Sequence, residues 1–400
     1  MSSPRLSARA RAMTPSRTGA VAAAARALQA KGVDIVDLGL GEPDFATPGF
    51  VGAAGAAAIA AGRTKYTDNA GSPDLRDGVA EKYRREQQAA VGRESIVVTA
   101  GAKQAVFNAC QVLFDPGDEV ALFSPYWVSF PEILRLAGAE PVVVRTHLAE
   151  GWKPVVERLA AAATDRLRGV VVNSPNNPSG AVVPGTDLER LVEWCAARGI
   201  VLIFDETYDR FLYGGRTHVS AARFLASHSP HVVVTGSASK TWAMTGWRLG
   251  WALAPKEIAA SIASLQGHST SNASSISQEA ALAALRDPAQ TDAAVEKMLG
   301  EYDRRRRAMR DALQAIDGVR LCDPEGAFYV FPDVSQLYGP LSVAGSVDFC
   351  ERLLTEAHVA AVPGEAFGVD GCVRFSFATP IDRVEEGMRR LAAWARGAAR

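Results

Sequence analysis

Apolar and polar positions alternate along the middle of the chain in two different rhythms. Short β-rich apolar runs occur at residues 96–99, 119–123, 141–145, 169–173, 200–204, 232–235 and 247–253. Between several of them lie segments with helical spacing, at 103–114, 128–137 and 184–198. Runs that are apolar throughout predict strands buried on both faces, and their alternation with amphipathic helices predicts a mostly parallel sheet sandwiched by helices. After residue 253 the rhythm changes. A long helix is expected over 292–316, short strands near 326–331 and 371–377, and a last helix over 381–396; this reads as a smaller α+β unit.

Composition narrows the function classes. Of 400 residues 48% are hydrophobic and 22% charged, which is a folded chain rather than a disordered one. Lys plus Arg is 43 and Asp plus Glu 44, so no global field draws in nucleic acid or an anionic membrane. The run Arg304 to Arg307 inside the long predicted helix is expected to be a solvated face. No apolar stretch is long enough to span a bilayer. Five cysteines, widely spaced and never in a C-x-x-C pair, argue against a disulfide framework or a cysteine metal site; a reducing, cytoplasmic location is expected, with no metal. Residues 1–33 carry basic but no acidic side chains, as a transit peptide would, but Pro15 interrupts the pattern and the motif from Leu38 follows directly, so an N-terminal arm is expected.

In a parallel α/β sheet chemistry gathers beyond the carboxyl ends of the strands. The candidates there are Gly101 to Lys103, Pro125 to Trp127, Asn173 to Gly180, Asp205 to Tyr208 and Ser237 to Lys240. Several familiar chemistries fail. Gly39-Leu40-Gly41-Glu42-Pro43 lacks the third glycine of a dinucleotide fingerprint, and no phosphate loop accompanies the acid at the end of 200–204. Ser237-Ala238-Ser239-Lys240 matches S-x-x-K, but its companion motifs are missing. No histidine sits at a strand-end motif to complete a Ser-His-Asp set.

The remaining residues, taken in order, resemble the fold-type-I, class I aminotransferases that use pyridoxal 5'-phosphate, in particular the bacterial aspartate aminotransferase subgroup. The resemblance runs through Gly39-Leu40-Gly41-Glu42-Pro43-Asp44, Tyr66-Thr67, Gly101-Ala102-Lys103, Ser124-Pro125-Tyr126-Trp127, Asn173-Ser174-Pro175-Asn176-Asn177-Pro178, Asp205-Glu206-Thr207-Tyr208, Ser239-Lys240-Thr241, Gly246-Trp247-Arg248, Gly326-Ala327-Phe328-Tyr329 and Val373-Arg374-Phe375. It implies that fold, with an arm and part of a small domain at 1–46, a large cofactor-binding domain at 47–290 and a small C-terminal domain at 291–400.

By the same resemblance Lys240 forms the imine with the cofactor and shuttles protons, while Asp205 stabilises the protonated ring nitrogen. Asn177 and Tyr208 donate to the ring's phenolic oxygen, and Trp127 stacks on the ring. Gly101, Ala102, Lys103, Ser237 and Arg248 hold the phosphate, joined by Tyr66 from the partner subunit of a homodimer. Arg374 takes the substrate α-carboxylate, with Gly41 and Asn177 nearby. Lys103 stands where the subgroup has a lysine for the distal carboxylate of aspartate or glutamate. Prephenate-using members carry another lysine before the N-terminal Pro-Ser, where this chain has Thr14, which argues against prephenate. Departures at Asp68-Asn69 and at 271–275 lie near the substrate side.

The leading expectation is transamination between an L-amino acid, aspartate or glutamate, and a 2-oxo acid. The alternative keeps the cofactor but performs β- or γ-elimination, substitution or carbon–carbon bond formation in specialised biosynthesis. A non-enzymatic sensor would need a helix-turn-helix module ahead of the core, for which there is no room before Gly41.

Overall fold

The computed structural model describes residues 5–13, 17–228 and 230–397. Seven strands form the main sheet: β1 (Ile96–Thr99), β2 (Glu119–Ser124), β3 (Glu140–Arg145), β4 (Leu167–Asn173), β5 (Val201–Asp205), β6 (Val232–Ser237) and β7 (Gly250–Leu253). Their order is β1-β7-β6-β5-β4-β2-β3. All neighbours are parallel except β7, which runs antiparallel to both β1 and β6.

Alternation along each strand feeds two cores. Leu202 and Phe204 pack on one side with Val232 and Val234, while Ile203 packs on the other with Val171 and Val233. Both faces are thus buried, which is why these runs are apolar without interruption. The exception is the edge strand β3, whose Val143 is 45% exposed. A further core joins Val36 and Leu38 to Tyr302, Phe328, Phe349 and Phe375. Here a three-stranded antiparallel sheet pairs Val373–Ser376 with Tyr329–Val330 and Val362–Pro363.

Two expectations are corrected. The run at 247–253 was expected to be strand throughout, but Thr245–Trp247 form a tight 3-10 turn and Arg248 takes a left-handed backbone with φ 53°. The strand therefore opens at Gly250. The second correction concerns Arg304 to Arg307, which is not wholly a solvated face. Successive helix positions turn by about 100°, so four in a row must point around the whole helix. Arg304 and Arg307 are exposed, but Arg305 and Arg306 are buried. Arg305 makes two 2.9 Å bonds to the Asp44 carboxylate and lies over the rings of Phe45 and Tyr302. Arg306 pairs with Asp303 and Asp323.

Register sets the working edge. Asn173 is opposite Asp205 and Asp205 opposite Thr235, so β4 and β5 end in one row and β6 runs two residues further, to Ser237. On the other side of β6, Gly250 lies opposite both Ser237 and Thr99. A Cβ on Gly250 would sit 2.5 Å from the Ala102 amide nitrogen and 2.7 Å from the Gly236 carbonyl oxygen. Glycine is what allows the helix starting at Ala102 to press against the sheet. Gly250→Ala is expected to lower unfolding stability by about 2 kcal/mol or more, because backbone rather than flexible side chain must yield. A denaturant midpoint unchanged from the wild type would contradict this packing.

Candidate active site

Asp205 closes β5 and is 5% exposed. One of its oxygens, Oδ1, accepts from the Thr207 amide at 3.1 Å and from the Thr207 hydroxyl at 2.7 Å. Burial, opposed by those hydrogen bonds, raises its carboxyl to about 6. Asn173 braces this strand end by donating from Nδ2 to the Asp205 carbonyl, and its Oδ1 accepts the Asn177 amide at 2.8 Å.

Lys240 follows β6 on a four-residue helix, Ala238–Thr241, whose first turn is capped by the Ser237 hydroxyl accepting from the Ser239 amide. Its Nζ donates to the Gly41 carbonyl at 2.5 Å and lies about 6 Å from the rings of Tyr208 and Phe328. Burial, opposed by Glu42 and helped by the Arg374 and Arg248 guanidiniums, lowers the amine to about 8. A substantial neutral fraction is therefore present near physiological pH, as nucleophilic attack on a carbonyl requires.

The helix Ala102–Leu113 opens directly above β7. Its cap, Gly101, has φ 87°, and a Cβ there would come within 2.6 Å of Arg248 Nη2. Glycine thus leaves room for the guanidinium to close on the helix start, where the Arg248 side chain donates to the Thr245 and Ala100 carbonyls. Unsatisfied amides at a helix start, an arginine and the Ser237 hydroxyl form a donor set suited to a phosphate dianion. The residues present fit pyridoxal phosphate: a phosphate cradle, a desolvated amine and a buried carboxylate border one cavity.

Arg374 lies on the opposite wall, 3% exposed. Its Nη1 donates to Asn177 Oδ1 at 3.0 Å and its Nη2 to the Gly39 carbonyl at 2.7 Å, while Nε has no partner. The guanidinium stacks over the Tyr329 ring at 4.4 Å. A buried donor without an acceptor is costly, and a carboxylate supplies one. Lys103 lies over the Trp127 ring at 4.9 Å, with its amine lowered first by burial and then by Arg248. Among the described residues no carboxylate pairs with it.

One cavity of about 510 Å³ gathers most of the expected residues: Gly41, Ala102, Lys103, Trp127, Asn177, Asp205, Tyr208, Ser237, Lys240, Arg248 and Arg374. Gly101 lies just behind it. Tyr66 stands apart, 89% exposed, and does not line the cavity within one chain. Thr14, with Pro15 and Ser16, lies outside the described residues. Sequence reasoning missed Tyr329, whose hydroxyl is 2.8 Å from that of Tyr208, and Glu42, which accepts from Thr245. It also missed Gly19 and Ala22, which bring the N-terminal arm to the rim. The Gly-Ala-Phe-Tyr run was the available signal for Tyr329; nothing marked the small residues of the arm.

The family model for aminotransferase class I and II matches residues 33–391. An aspartate/prephenate aminotransferase of Thermus thermophilus is 44% identical over 387 residues, covering 97% of this chain and 98% of the relative. An aspartate aminotransferase of Geobacillus stearothermophilus is 39% identical over 387 residues, covering 97% of this chain and 98% of its own length. Among solved structures, the aspartate aminotransferase from Thermus thermophilus with maleate superposes with a TM-score of 0.93 at 44% identity, covering 98% of this chain and all of that one.

The raised Asp205 carboxyl has a consequence for the apoprotein. The folded state holds this proton more tightly than the unfolded chain, so an ionised Asp205 destabilises the fold. That penalty is complete above about pH 6 and disappears as pH falls toward the ordinary carboxylate value. Asp205→Asn is expected to raise the melting temperature of the cofactor-free protein at pH 7.5, by an amount that vanishes near about pH 4. Melting curves across that range check it; a gain independent of pH would refute the argument.

Proposed function

We infer that this chain, which belongs to the class I and II aminotransferases, transfers an amino group between L-aspartate or L-glutamate and a 2-oxo acid with pyridoxal 5'-phosphate as cofactor. The observation that carries this reading is the Lys240 amine, held down to about 8 in one cavity with Asp205 and with Arg374, whose Nε has no partner. Bound there, pyridoxal phosphate supplies an electron-withdrawing ring that makes the substrate Cα–H acidic.

The chain's own groups do the rest. Arg248, Ser237 and the amides after Gly101 would hold the phosphate, and the Asp205 carboxylate would stabilise the ring's positive charge. Trp127 would cover one face of the ring, and Asn177 and Tyr208 would donate to its phenolic oxygen. Tyr208 is well suited to remain a donor, because burial and then Tyr329 push its hydroxyl up from its ordinary value. Arg374 orients the substrate through its α-carboxylate, so that the Cα proton faces Lys240 Nζ. That nitrogen takes the proton and returns it.

Lys103 supports a dicarboxylic substrate: it lines the same cavity as Arg374, and among the described residues no carboxylate pairs with it. The relative solved with maleate, itself a four-carbon dicarboxylate, agrees with that chemistry. The relatives' names divide over prephenate, and Thr14 in place of a lysine leaves this chain one cation short for it. A cytoplasmic homodimer is part of the reading, since Tyr66 lies exposed and away from its own cavity.

With aspartate and 2-oxoglutarate the purified enzyme is expected to form oxaloacetate and glutamate, and prephenate to be a poor acceptor. No oxaloacetate from aspartate, with pyruvate and ammonia released from a substrate that carries a Cβ leaving group such as L-serine, would favour elimination instead. Arg374→Ala is expected to raise the KM for aspartate about a hundredfold or more while the cofactor absorbance persists. Loss of the cofactor in that variant would reassign the arginine. Mixing Lys240→Ala with Tyr66→Ala subunits is expected to recover activity that neither homodimer has. A mixture as inactive as its parents would reject a shared site.

A further inference from the structure

The short helix carrying Lys240 cannot hold its own position. Four residues close barely one turn, and a single turn is unfavourable without outside support. Lys240 faces the cavity, but its neighbour Thr241 is buried and faces the opposite way, into a cluster of charges beneath the site. Thr241 Oγ1 donates to Asp209 Oδ1 at 3.1 Å. The other oxygen of that carboxylate, Oδ2, accepts from Lys82 Nζ at 2.7 Å, and Lys82 also donates to Glu86 at 2.8 Å. Lys82 is only 5% exposed.

Asp209 stands one residue after Tyr208 and four after Asp205, in the turn that leaves β5, and its amide donates to the Glu206 carbonyl. The hydrogen bond to Thr241 therefore joins the segment bearing Asp205 and Tyr208 to the segment bearing Lys240. We propose that Asp209, locked by Lys82, is a positioning group that acts through Thr241 to aim the Lys240 amine at the cofactor's aldehyde carbon. Burial alone would push the Asp209 carboxyl up, but Lys82, His218 and Arg210 bring it below its ordinary value, so the acceptor stays ionised and the bond from Thr241 is charge-assisted. The cluster is anchored by two helices: Lys82 and Glu86 lie on Pro73–Gln87, and Arg210 reaches Asp292 on Pro288–Gln314.

This inference rests on the reading of Lys240 as the cofactor's attachment point, and it is tested on the threonine because removing either buried charge would endanger folding. Thr241→Val keeps the shape and deletes the donor; Thr241→Ser keeps the donor. The readout is the rate at which cofactor-free enzyme captures pyridoxal phosphate at residue 240, followed by absorbance and fixed with borohydride, together with the melting temperature. Capture by Thr241→Val is expected to be about tenfold slower, with a melting temperature within about 3 °C of the wild type. Thr241→Ser is expected to recover at least a third of the wild-type rate, and in the aspartate assay Thr241→Val should lower kcat with KM unchanged. Capture by Thr241→Val at the wild-type rate, a serine variant as slow as the valine one, or a rate that falls only with the melting temperature would overturn the proposal. A wild type that captures the cofactor but does not transaminate defeats the functional reading alone. One that captures none defeats both.

Discussion

Removing the Lys240 amine from water while two guanidiniums stand nearby is the constraint around which the rest of the molecule is arranged. An exposed lysine would be almost fully protonated at neutral pH and inert toward a carbonyl. Burial lowers Lys240 to about 8 against the pull of Glu42, with the Arg374 and Arg248 guanidiniums helping. In this cavity Tyr208 and Phe328 stand about 6 Å from the amine. Each of these parts has its own source. Tyr208 leaves β5, Phe328 and Arg374 come from the C-terminal portion, and the Gly41 carbonyl that accepts from the amine comes from near the N-terminus.

The same cavity keeps charges of both signs in poor solvent, and this works against the empty protein. Asp205 is raised to about 6 by burial, and Arg374 is left with an unpartnered Nε. A cationic ring beside the first and a carboxylate on the second would satisfy both. Ligand binding and folding are thus linked, because groups that destabilise the empty site are the ones that recognise its occupants.

Close backbone approach makes this geometry possible. Gly250 lets a helix start rest on β7, and Gly101 lets Arg248 close over that start. Below the sheet edge, the Lys82–Asp209–Thr241 chain of hydrogen bonds ties the segments bearing Asp205 and Lys240 to the helix Pro73–Gln87. Small residues above and buried charges below hold a short helix that has little stability of its own.

The run of apolar strands, the amphipathic helices between them and the strand-end motifs were all legible along the chain, because periodicity and turn chemistry are local properties. So were Lys240, Asp205 and Arg374, whose residue types and order carry the family resemblance. The antiparallel course of β7 was not legible, since an apolar run looks the same in either direction. Nor was the burial of Arg305 and Arg306: four arginines in succession read as a polar face until the packing of the helix shows which two turn inward to Asp44 and Asp323. Tyr329 joined the site only when an antiparallel pairing brought it beside Arg374, and Thr241 became more than a helix residue only when a carboxylate distant in sequence was found against it. Sequence alone determined which chemical groups the chain owns and which elements carry them. Tertiary structure decided which of them share a low-dielectric space, and proton affinity and hydrogen-bond demand depend on that neighbourhood rather than on position along the chain.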